Sequence, residues 1–394
     1  MDVFQSGFRP LHSTESSLLR VFNDIFMATD SGSYAVLLLL DLSAAFHTVD
    51  HDILLLRLEE VAAIRGPALT WFRSYLSNRS QRVVLNNISS RSAPLSCGVP
   101  QGSILGPLLF CLYLLPLSFI LKKYCVQYHL YADDCQIYMS VKPQQSIQPL
   151  LDCLRDVKCW LATNFLHLND SNTELILFNP VRSTVSRNLK TVVTNLGVKM
   201  DSSLRMDAQV NATVKSCFFQ LRRLSKLRAV LSRNNLESVV HAFITSRLDY
   251  SNAILLGVNK STLARLQLIQ NAAARSLTRT DRRQRITPVL KSLHWLPITF
   301  RVQYKILLFV FKSLHGLAPV YLSDLLSIYT PGRSLRSSSL LLLEVPKACY
   351  KSCGQSVAGP KLWNELPVTV RLASTLADFK SRLKTHYFTL AFNS

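Results

Sequence analysis

Tyr131-Ala132-Asp133-Asp134 is the stretch of sequence that decides the fold. Its two adjacent carboxylates lie between two runs of strand-forming residues, 125–130 and 135–139. Both runs are rich in aromatic and β-branched residues, so they predict a β-hairpin with the aspartates at its tip. Neighbouring side chains of a strand point to opposite faces, and a tight turn is therefore needed to bring both carboxylates to one site.

The paired carboxylates suit a metal site. Like charges this close repel each other, and a bound cation relieves that repulsion. Hard oxygen ligands suit Mg²⁺, and a pair of Mg²⁺ ions is a common arrangement for nucleotidyl transfer. The alternative is an ordinary polar turn, because aspartate is also a frequent turn residue. The pair alone does not decide between the two.

The second half of the chain is strongly basic. The 394 residues carry a formal net charge of +21. Residues 1–180 contain 13 Lys or Arg and 15 Asp or Glu, whereas residues 181–394 contain 32 Lys or Arg and 9 Asp or Glu. A hydrophobic fraction of 48% excludes a disordered chain. The asymmetry predicts a polyanionic partner, nucleic acid first and an anionic membrane surface second.

One uncharged segment, 104–121, resembles a membrane span in length and hydropathy. It contains Gly106, Pro107 and Pro116 and lies between two polar motifs, so we expect a buried core helix with an exit turn and no membrane partner. The nine cysteines have no metal-ligand spacing, and the N-terminus has no signal-peptide pattern. Free thiols in an intracellular protein, nuclear or cytoplasmic, are therefore expected.

Three further segments of the first half are candidates for a functional site. The apolar run 34–42 predicts a buried strand near whose end Asp41 needs a metal, a hydrogen-bonding partner or a helix to cap. The glycine-rich loop 97–107 precedes a predicted helix and permits close backbone approach to a ligand. The block 5–9 predicts a loop in which Arg9 contacts phosphate or remains a solvated surface charge.

The segment that follows the hairpin predicts a helix and two strands. Residues 147–161 have the spacing of an amphipathic helix. Residues 164–169 and 173–178 predict a strand pair joined by the turn 170–172. The polar stretch 181–190 then predicts a linker.

Beyond this linker the pattern predicts basic helices. Apolar residues recur at spacings of three and four, with arginine and lysine largely on the other faces. These basic residues form either a surface that follows phosphates or a solvated helix face, and the excess positive charge favours the first. The candidates for nucleic-acid binding are Arg222, Arg223, Lys226, Arg275, Arg279, Arg282, Arg283 and Arg285.

In order and spacing, three blocks of this chain resemble the palm motifs of reverse transcriptases. They are Asp41 with Phe46, then Gly98-Val99-Pro100-Gln101-Gly102-Ser103, then Tyr131-Ala132-Asp133-Asp134. Four other phrases resemble open reading frame 2 of vertebrate LINE-type (non-LTR) retrotransposons: Gln5-Ser6-Gly7-Phe8-Arg9, Ser246-Arg247-Leu248-Asp249-Tyr250, Gln270-Asn271-Ala272-Ala273-Ala274-Arg275 and His294-Trp295-Leu296-Pro297. The resemblance covers nearly the whole chain.

This resemblance implies an α+β fold. The expected architecture is a reverse-transcriptase palm, an antiparallel sheet with packed helices, with partial fingers and then a mostly helical basic part. The implied regions are partial fingers and palm over 1–180, a basic thumb-like region over 181–285, and a C-terminal region of unassigned role over 286–394.

The resemblance also implies the metal ligands. Asp41 and Asp133 would hold two Mg²⁺ ions, Asp134 would assist, and the backbone carbonyl of Leu42 would face a metal. All three aspartates would then be catalytic. The implied activity is that of an RNA-directed DNA polymerase, whose partners are an RNA template, a DNA primer and dNTPs.

Three further residues are implied to contact the nucleotide. Phe46 lies at the position of the bulky residue that excludes a 2′-hydroxyl. Gln101 and Gly102 lie where the family's loop contacts the incoming nucleotide and the template.

The chain departs from the family pattern at His47, Asn172 and Cys135, where Asp, Lys and Thr are usual. It also begins at the Gln5 block, so an N-terminally truncated copy is expected. Two interpretations therefore remain: a polymerase, and a non-catalytic nucleic-acid-binding remnant of a retrotransposon. The retained carboxylates favour the first interpretation, and the departures and the truncation favour the second.

Overall fold

The structure is a computed structural model that describes residues 1–100, 102–142, 144–178, 190–330, 341–347 and 355–392. The chain divides into two compact units. The first unit consists of Met1–Ser13 and Ala35–Leu175, and the second consists of Thr14–Tyr34 and Ile176–Ser394. The predicted linker lies outside the described residues except for Lys190. The three regions with boundaries after residues 180 and 285 stay a prediction.

The strands of the structure belong mainly to the first unit. They are β1 (Tyr34–Leu40), β2 (Leu42–Ser43), β3 (Ser80–Gln81), β4 (Val84–Leu85), β5 (Ile88–Ser89), β6 (Ala93–Pro94), β7 (Gln127–Tyr131), β8 (Asp134–Val141), β9 (His167–Leu168), β10 (Glu174–Phe178), β11 (Val192–Asn195) and β12 (Val198–Asp201). The largest sheet has four strands in the order β10-β1-β8-β7. The strand β1 is buried along most of its length, which explains why its sequence is a continuous apolar run.

The described part of the first unit contains five α-helices. They are α2 (His51–Glu60), α3 (Pro67–Leu76), α4 (Gly106–Tyr113), α5 (Leu117–Lys123) and α6 (Gln148–Thr163). Of these, α5 packs against strand β7 of this sheet. The helix predicted over 147–161 is confirmed as α6, whose buried side chains are Leu150, Cys153, Val157 and Leu161. That spacing of three and four residues gives the helix one apolar face, which packs toward the core.

The apolar segment Gly106–Lys123 contains α4, a turn and α5. By length and composition alone it is long and apolar enough to cross a membrane. Half of it is buried within the protein, and α5 packs against α6 and β7. This is the arrangement expected of a core helix followed by an exit turn.

The predicted strand pair over 164–169 and 173–178 is wrong. Both strands exist, but β9 pairs with β2, with Leu42 opposite Leu168, and β10 lies beside β1. An alternating pattern identifies a strand without identifying its partner, and here both partners come from the segment around Asp41.

The second unit is mostly helical. Its helices are α1 (Thr14–Asp30), α7 (Asp207–Leu227), α8 (Arg233–Val240), α9 (Ser246–Asp249), α10 (Lys260–Thr278), α11 (Thr287–Ser292), α12 (Ile298–Leu314), α13 (Val320–Ser323), α14 (Gln355–Glu365), α15 (Val368–Arg371) and α16 (Leu376–Phe392). The helix α12 packs against α10, α14 and α16, and α7 packs along α10. The fully buried side chains of the second unit include Trp363, Tyr321 and Phe379. The predicted α+β class is therefore confirmed.

Candidate active site

The hairpin predicted from the opening stretch of sequence is present. The strands β7 and β8 are antiparallel, and Tyr131 pairs with Asp134, so Ala132 and Asp133 form the turn. Ala132 has a φ of 57°, which is the left-handed conformation that a tight turn requires. The turn places the Asp133 carboxylate directly before the first residue of β8, Asp134.

The three predicted catalytic carboxylates act on one another. Withdrawal from water raises the pKa of Asp133, and the charge of Asp41 raises it further. Asp134 is exposed as a residue, yet partial burial of its carboxyl group and the charges of Asp133 and Asp41 together raise its pKa to about 6. β1 lies next to β8 in the sheet, and the charge of Asp41, directly after β1, acts on both Asp133 and Asp134. They form a locally negative site.

Asp41 follows the last residue of β1 and is held by two asparagines. One oxygen of its carboxylate, Oδ2, accepts hydrogen bonds from the side-chain amides of Asn169 at 3.1 Å and Asn172 at 3.0 Å. Its backbone carbonyl accepts from the amide of Asn169 at 2.8 Å. The next residue, Leu42, lies in β2 with its side chain buried. The turn after β9 therefore fixes one carboxylate oxygen and leaves the other, Oδ1, without a described hydrogen bond.

The segment around Gln5 supports the turn of the hairpin. The side-chain oxygen of Gln5 accepts from the backbone amides of Gly7, at 2.8 Å, and Ala132, at 3.0 Å. A methyl group on Gly7 would lie 2.4 Å from the backbone nitrogen of Ala132, so only glycine fits there. Arg9 donates to the backbone carbonyls of Asp2 and Gln5 at 2.7 and 2.8 Å. This block therefore braces the turn, a role that its sequence did not indicate.

Phe46 is fixed by an aromatic neighbour and by the glycine-rich loop. Its ring stacks on that of Phe110 in α4, with the centroids 4.4 Å apart. Its backbone carbonyl accepts from the amide of Val99 at 2.9 Å. Gly98 has a φ of 87° and approaches His47 so closely that a methyl group there would lie 3.0 Å from the His47 carbonyl oxygen. The predicted nucleotide-contacting segments are thus joined through their backbones.

The second part of the glycine-rich loop leads into α4. Gly102 is exposed and has a φ of 80°, whereas Gln101 lies outside the described residues. The hydroxyl of Ser103 donates to the carbonyl of Pro100 at 2.7 Å and accepts from the amide of Gly106 at 2.9 Å. Ser103 therefore closes the turn that presents Gly102 to solvent.

The aspartates provide the oxygen donors that Mg²⁺ prefers, and a cation would relieve their mutual repulsion. In the part of the chain that the structure describes, no group of three or more His, Cys, Asp or Glu side chains could hold a metal ion as it stands. The fit of a metal therefore rests on the chemistry of the donors and on their electrostatic coupling. The predicted ligand set of Asp41, Asp133, Asp134 and the backbone carbonyl of Leu42 stays a prediction.

Residues 1–200 match the family described as reverse transcriptase (RNA-dependent DNA polymerase). This chain belongs to the reverse transcriptase family. The match covers the hairpin with Asp133 and Asp134, the strand that precedes Asp41, and the glycine-rich loop. The predicted reverse-transcriptase fold and family are thus confirmed, and enzymes of this family generally use divalent metal ions.

Curated relatives of this reverse transcriptase domain come from mobile elements of Drosophila melanogaster. A probable RNA-directed DNA polymerase from transposon BS is 27% identical over 304 residues, and one from transposon X-element is 29% identical over 292 residues. Each alignment covers 70% of this chain and 32% of the relative, so the chain spans about a third of their length. The polymerase from mobile element jockey is 36% identical over 110 residues, which are 28% of this chain and 12% of the relative. The relatives are thus polymerases of non-LTR retrotransposons.

Solved structures similar to this reverse transcriptase domain include two telomerases. The telomerase of Candida albicans, in complex with a fragment of telomeric RNA, has a TM-score of 0.36 and 14% identity, covering 72% of this chain and 52% of that chain. The apo telomerase of Candida tropicalis has a TM-score of 0.39 and 11% identity, covering 75% and 55%. Likenesses of this size do not bear on activity.

The second unit of the reverse transcriptase chain brings some of the predicted basic residues together. A groove of about 630 Å³ between α7 and α10 is lined by three of the predicted residues, Arg222, Arg275 and Arg282. Arg228, which was not predicted, also lines the groove. Its floor is partly apolar, with Leu221 among the lining side chains. Arg275 also donates to backbone carbonyls of the following loop. The other predicted residues, Arg223, Lys226, Arg279, Arg283 and Arg285, are exposed and do not line the groove.

The sequence did not identify two of the residues that organise the site. Asn169 was part of a predicted strand, and nothing near it in the sequence points to Asp41, which is 128 residues away. The role of Gln5 likewise depends on a contact with Ala132 across 127 residues. Only the family resemblance of the Gln5 block provided a signal, and it indicated importance without indicating a partner.

Proposed function

We propose that this chain catalyses RNA-directed DNA synthesis, adding dNTPs to the 3′-hydroxyl of a DNA primer on an RNA template. One observation carries the proposal: Asp41 directly follows β1, the Asp133–Asp134 pair lies at the start of the neighbouring strand β8, and the charge of Asp41 acts on both members of the pair. Membership of the reverse transcriptase family supports the same activity.

In this proposal Asp41 and Asp133 hold two Mg²⁺ ions, with Asp134 assisting and the carbonyl of Leu42 as a further ligand. The bound ions would lower the pKa of the primer hydroxyl and stabilise negative charge on the triphosphate. The side-chain amides of Asn169 and Asn172 restrain Oδ2 of Asp41, so Oδ1 is the oxygen available to a ligand. Outer hydrogen bonds of this kind orient metal ligands.

Phe46 and the glycine-rich loop would select the incoming nucleotide. Stacking on Phe110 and the backbone link to Val99 restrict the movement of the Phe46 ring. A ring held in this way can exclude a 2′-hydroxyl by steric overlap. Gly102, exposed beside Gln101, would let the backbone approach the nucleotide and the template.

The arginine groove of the second unit would bind the template and primer. Four guanidinium groups around a partly apolar floor suit a phosphate backbone whose sequence is not read. The exposed Arg223, Lys226, Arg279, Arg283 and Arg285 would add to the electrostatic attraction without lining the groove.

We also propose that the chain derives from a LINE-type element of a vertebrate. The sequence phrases at 246–250, 270–275 and 294–297 support this origin. The Drosophila relatives support the broader non-LTR class. A phylogenetic tree that includes vertebrate and insect elements tests it. Grouping with the insect elements would contradict a vertebrate origin.

Primer extension tests the polymerase. The folded chain is mixed with an RNA template, a labelled DNA primer, dNTPs and Mg²⁺, beside the Asp133→Asn/Asp134→Asn variant. We expect metal-dependent extension by the wild type and a loss of at least about a hundredfold in the variant, because two of the proposed metal ligands are gone. Equal extension by both proteins would contradict the assignment of these carboxylates.

A non-catalytic nucleic-acid-binding protein is the second candidate. The arginine groove favours it, because that groove is complete within the second unit and does not involve the aspartates. The presence of Asn172 at a position where the family usually has lysine also favours it. Salt-sensitive binding of the RNA–DNA duplex by folded wild-type protein that extends no primer would support this candidate and exclude the polymerase.

A further inference from the structure

The second unit contains a pocket of about 400 Å³ that the proposed polymerase activity does not use. Helices α12 and α16 pack against each other and provide most of its wall. Arg301 and Lys305 come from α12, and Lys380 and Lys384 come from α16. The volume falls in the range of small-ligand sites, about 300–1,000 Å³.

The charge of the pocket is unbalanced. Arg301 donates to both carboxylate oxygens of Asp249, and Lys305 pairs with Glu15 at 3.1 Å. Lys380 and Lys384 lie one helical turn apart and have no carboxylate partner among the residues that the structure describes. Two positive charges are therefore left for an anion.

The lowered pKa of Lys312, a further lysine of α12, is consistent with this excess of positive charge. Burial lowers the pKa of Lys312, and the charges of Lys380 and Lys305 lower it further. An anion bound near these groups would relieve their mutual repulsion. The cations thus act on one another across the α12–α16 interface.

Asn252 forms part of the pocket wall and is 4% exposed. Its Nδ2 donates to Asp249 at 3.2 Å, and since a carboxylate cannot donate, the orientation of the amide is fixed. Its Oδ1 is closed off from solvent and has no hydrogen-bond partner among the described residues. Asn252 and Arg301 thus both hold Asp249 in the wall of the pocket.

The rim of the pocket offers a surface for an aromatic ring. His294 is exposed and stacks on Phe388 of α16, with the ring centroids 5.5 Å apart at an angle of 29°. Leu296 and Leu308 add apolar wall. Bare phosphate would use the lysines and neither of these features.

We propose that this pocket binds a nucleotide, with Lys380 and Lys384 on its phosphate and His294 beside the base. These two features together match an anion and an aromatic ring, which a nucleotide carries on one molecule. The same chemistry is present in a free mononucleotide and in a nucleotide of an RNA strand.

A direct binding assay with the full chain tests the proposal. Fluorescence anisotropy is measured with a fluorescent ATP analogue in one arm and with a labelled short single-stranded RNA in the other. The test variant is Lys380→Gln/Lys384→Gln. The control is Lys260→Gln/Lys361→Gln, which removes the same charge from two exposed lysines that do not line the pocket.

We expect the test variant to weaken binding at least about tenfold in one arm or both, and the control to change it less than about twofold. A loss with the ATP analogue identifies a free nucleotide as the ligand, and a loss with RNA alone identifies a strand. Unchanged binding by the test variant, or equal losses in test and control variants, would overturn the proposal. The melting temperatures of all variants are compared to establish that each protein is folded.

The outcome is independent of the polymerase assay. A mononucleotide does not span the arginine groove, and the variants leave the three aspartates intact. A protein that extends primers but loses no nucleotide affinity in the test variant therefore contradicts this inference alone.

Discussion

At the scale of single residues, Asp134 makes the stability of the folded chain depend on pH. Its pKa of about 6 in the folded chain lies above the ordinary value of 3.8, so the fold favours the protonated carboxyl. The destabilising effect of the charge is therefore fully present above about pH 6 and disappears as the pH falls toward the unfolded pKa. Replacing Asp134 by asparagine should raise the melting temperature at about pH 8 and make no difference below about pH 4.

The matched control for this prediction is Asp324→Asn, which neutralises an exposed carboxylate of the second unit. It should not gain stability at either pH. Addition of Mg²⁺ should stabilise the wild type more than Asp134→Asn, because the cation relieves a repulsion to which Asp134 contributes. Melting curves for the three proteins, recorded with and without Mg²⁺, decide this, and identical curves for the wild type and Asp134→Asn would contradict it.

Asn172 gives a second prediction at this scale. Its amide restrains Asp41 from an exposed position, so Asn172→Ala should lower the rate of primer extension by about tenfold with little change in melting temperature. Asn211→Ala removes an asparagine of the second unit that accepts from Arg265 and is the control. If the rate and the Mg²⁺ dependence of Asn172→Ala equal those of the wild type, Asn172 does not position the carboxylate.

At the scale of elements, the contact between the Gln5 block and the hairpin turn can be tested at Gly7. A methyl group there would meet the backbone of Ala132 at 2.4 Å, and the turn would have to shift. Gly7→Ala should cost about 1–3 kcal/mol of folding free energy and abolish most primer extension. Gly32→Ala, in open space at a φ of 82°, should cost about 1 kcal/mol and leave extension intact. Urea unfolding and extension assays check both variants. Unchanged extension by Gly7→Ala would contradict the inference that the Gln5 block supports the hairpin turn.

Elements could be predicted from the sequence wherever the pattern is local. The hairpin around Asp133 follows from two strand-forming runs and a short polar turn, and α6 follows from its apolar spacing. The partners of β9 and β10 could not be predicted, because alternation reveals a strand and not its neighbour. The amide contacts of Asp41 and the packing of Gly7 on Ala132 join residues more than a hundred positions apart, and no single-sequence pattern carries that information.

At the scale of the whole molecule, the charge asymmetry predicts how duplex binding responds to salt. The arginine groove should contribute several phosphate contacts, so affinity should fall linearly with the logarithm of salt concentration. Arg222→Gln/Arg275→Gln should weaken binding and reduce the magnitude of that slope by about 2. Lys260→Gln/Lys361→Gln has the same net charge and should retain the slope. Anisotropy titrations at several salt concentrations measure it, and equal slopes for all three proteins would exclude the groove from the duplex contact.

The interleaving of the two units along the chain has a consequence for its synthesis. A ribosome that has reached Leu175 has made every residue of the first unit. Helix α1 emerges early, yet Leu18, Phe22 and Ile25 are buried in the second unit, where α1 packs on α13, α14 and the short helix Asn252–Leu255. Translation proceeds at about 5–20 residues per second, so this apolar helix waits on the nascent chain for on the order of tens of seconds. During that time it is a natural target for holdase chaperones.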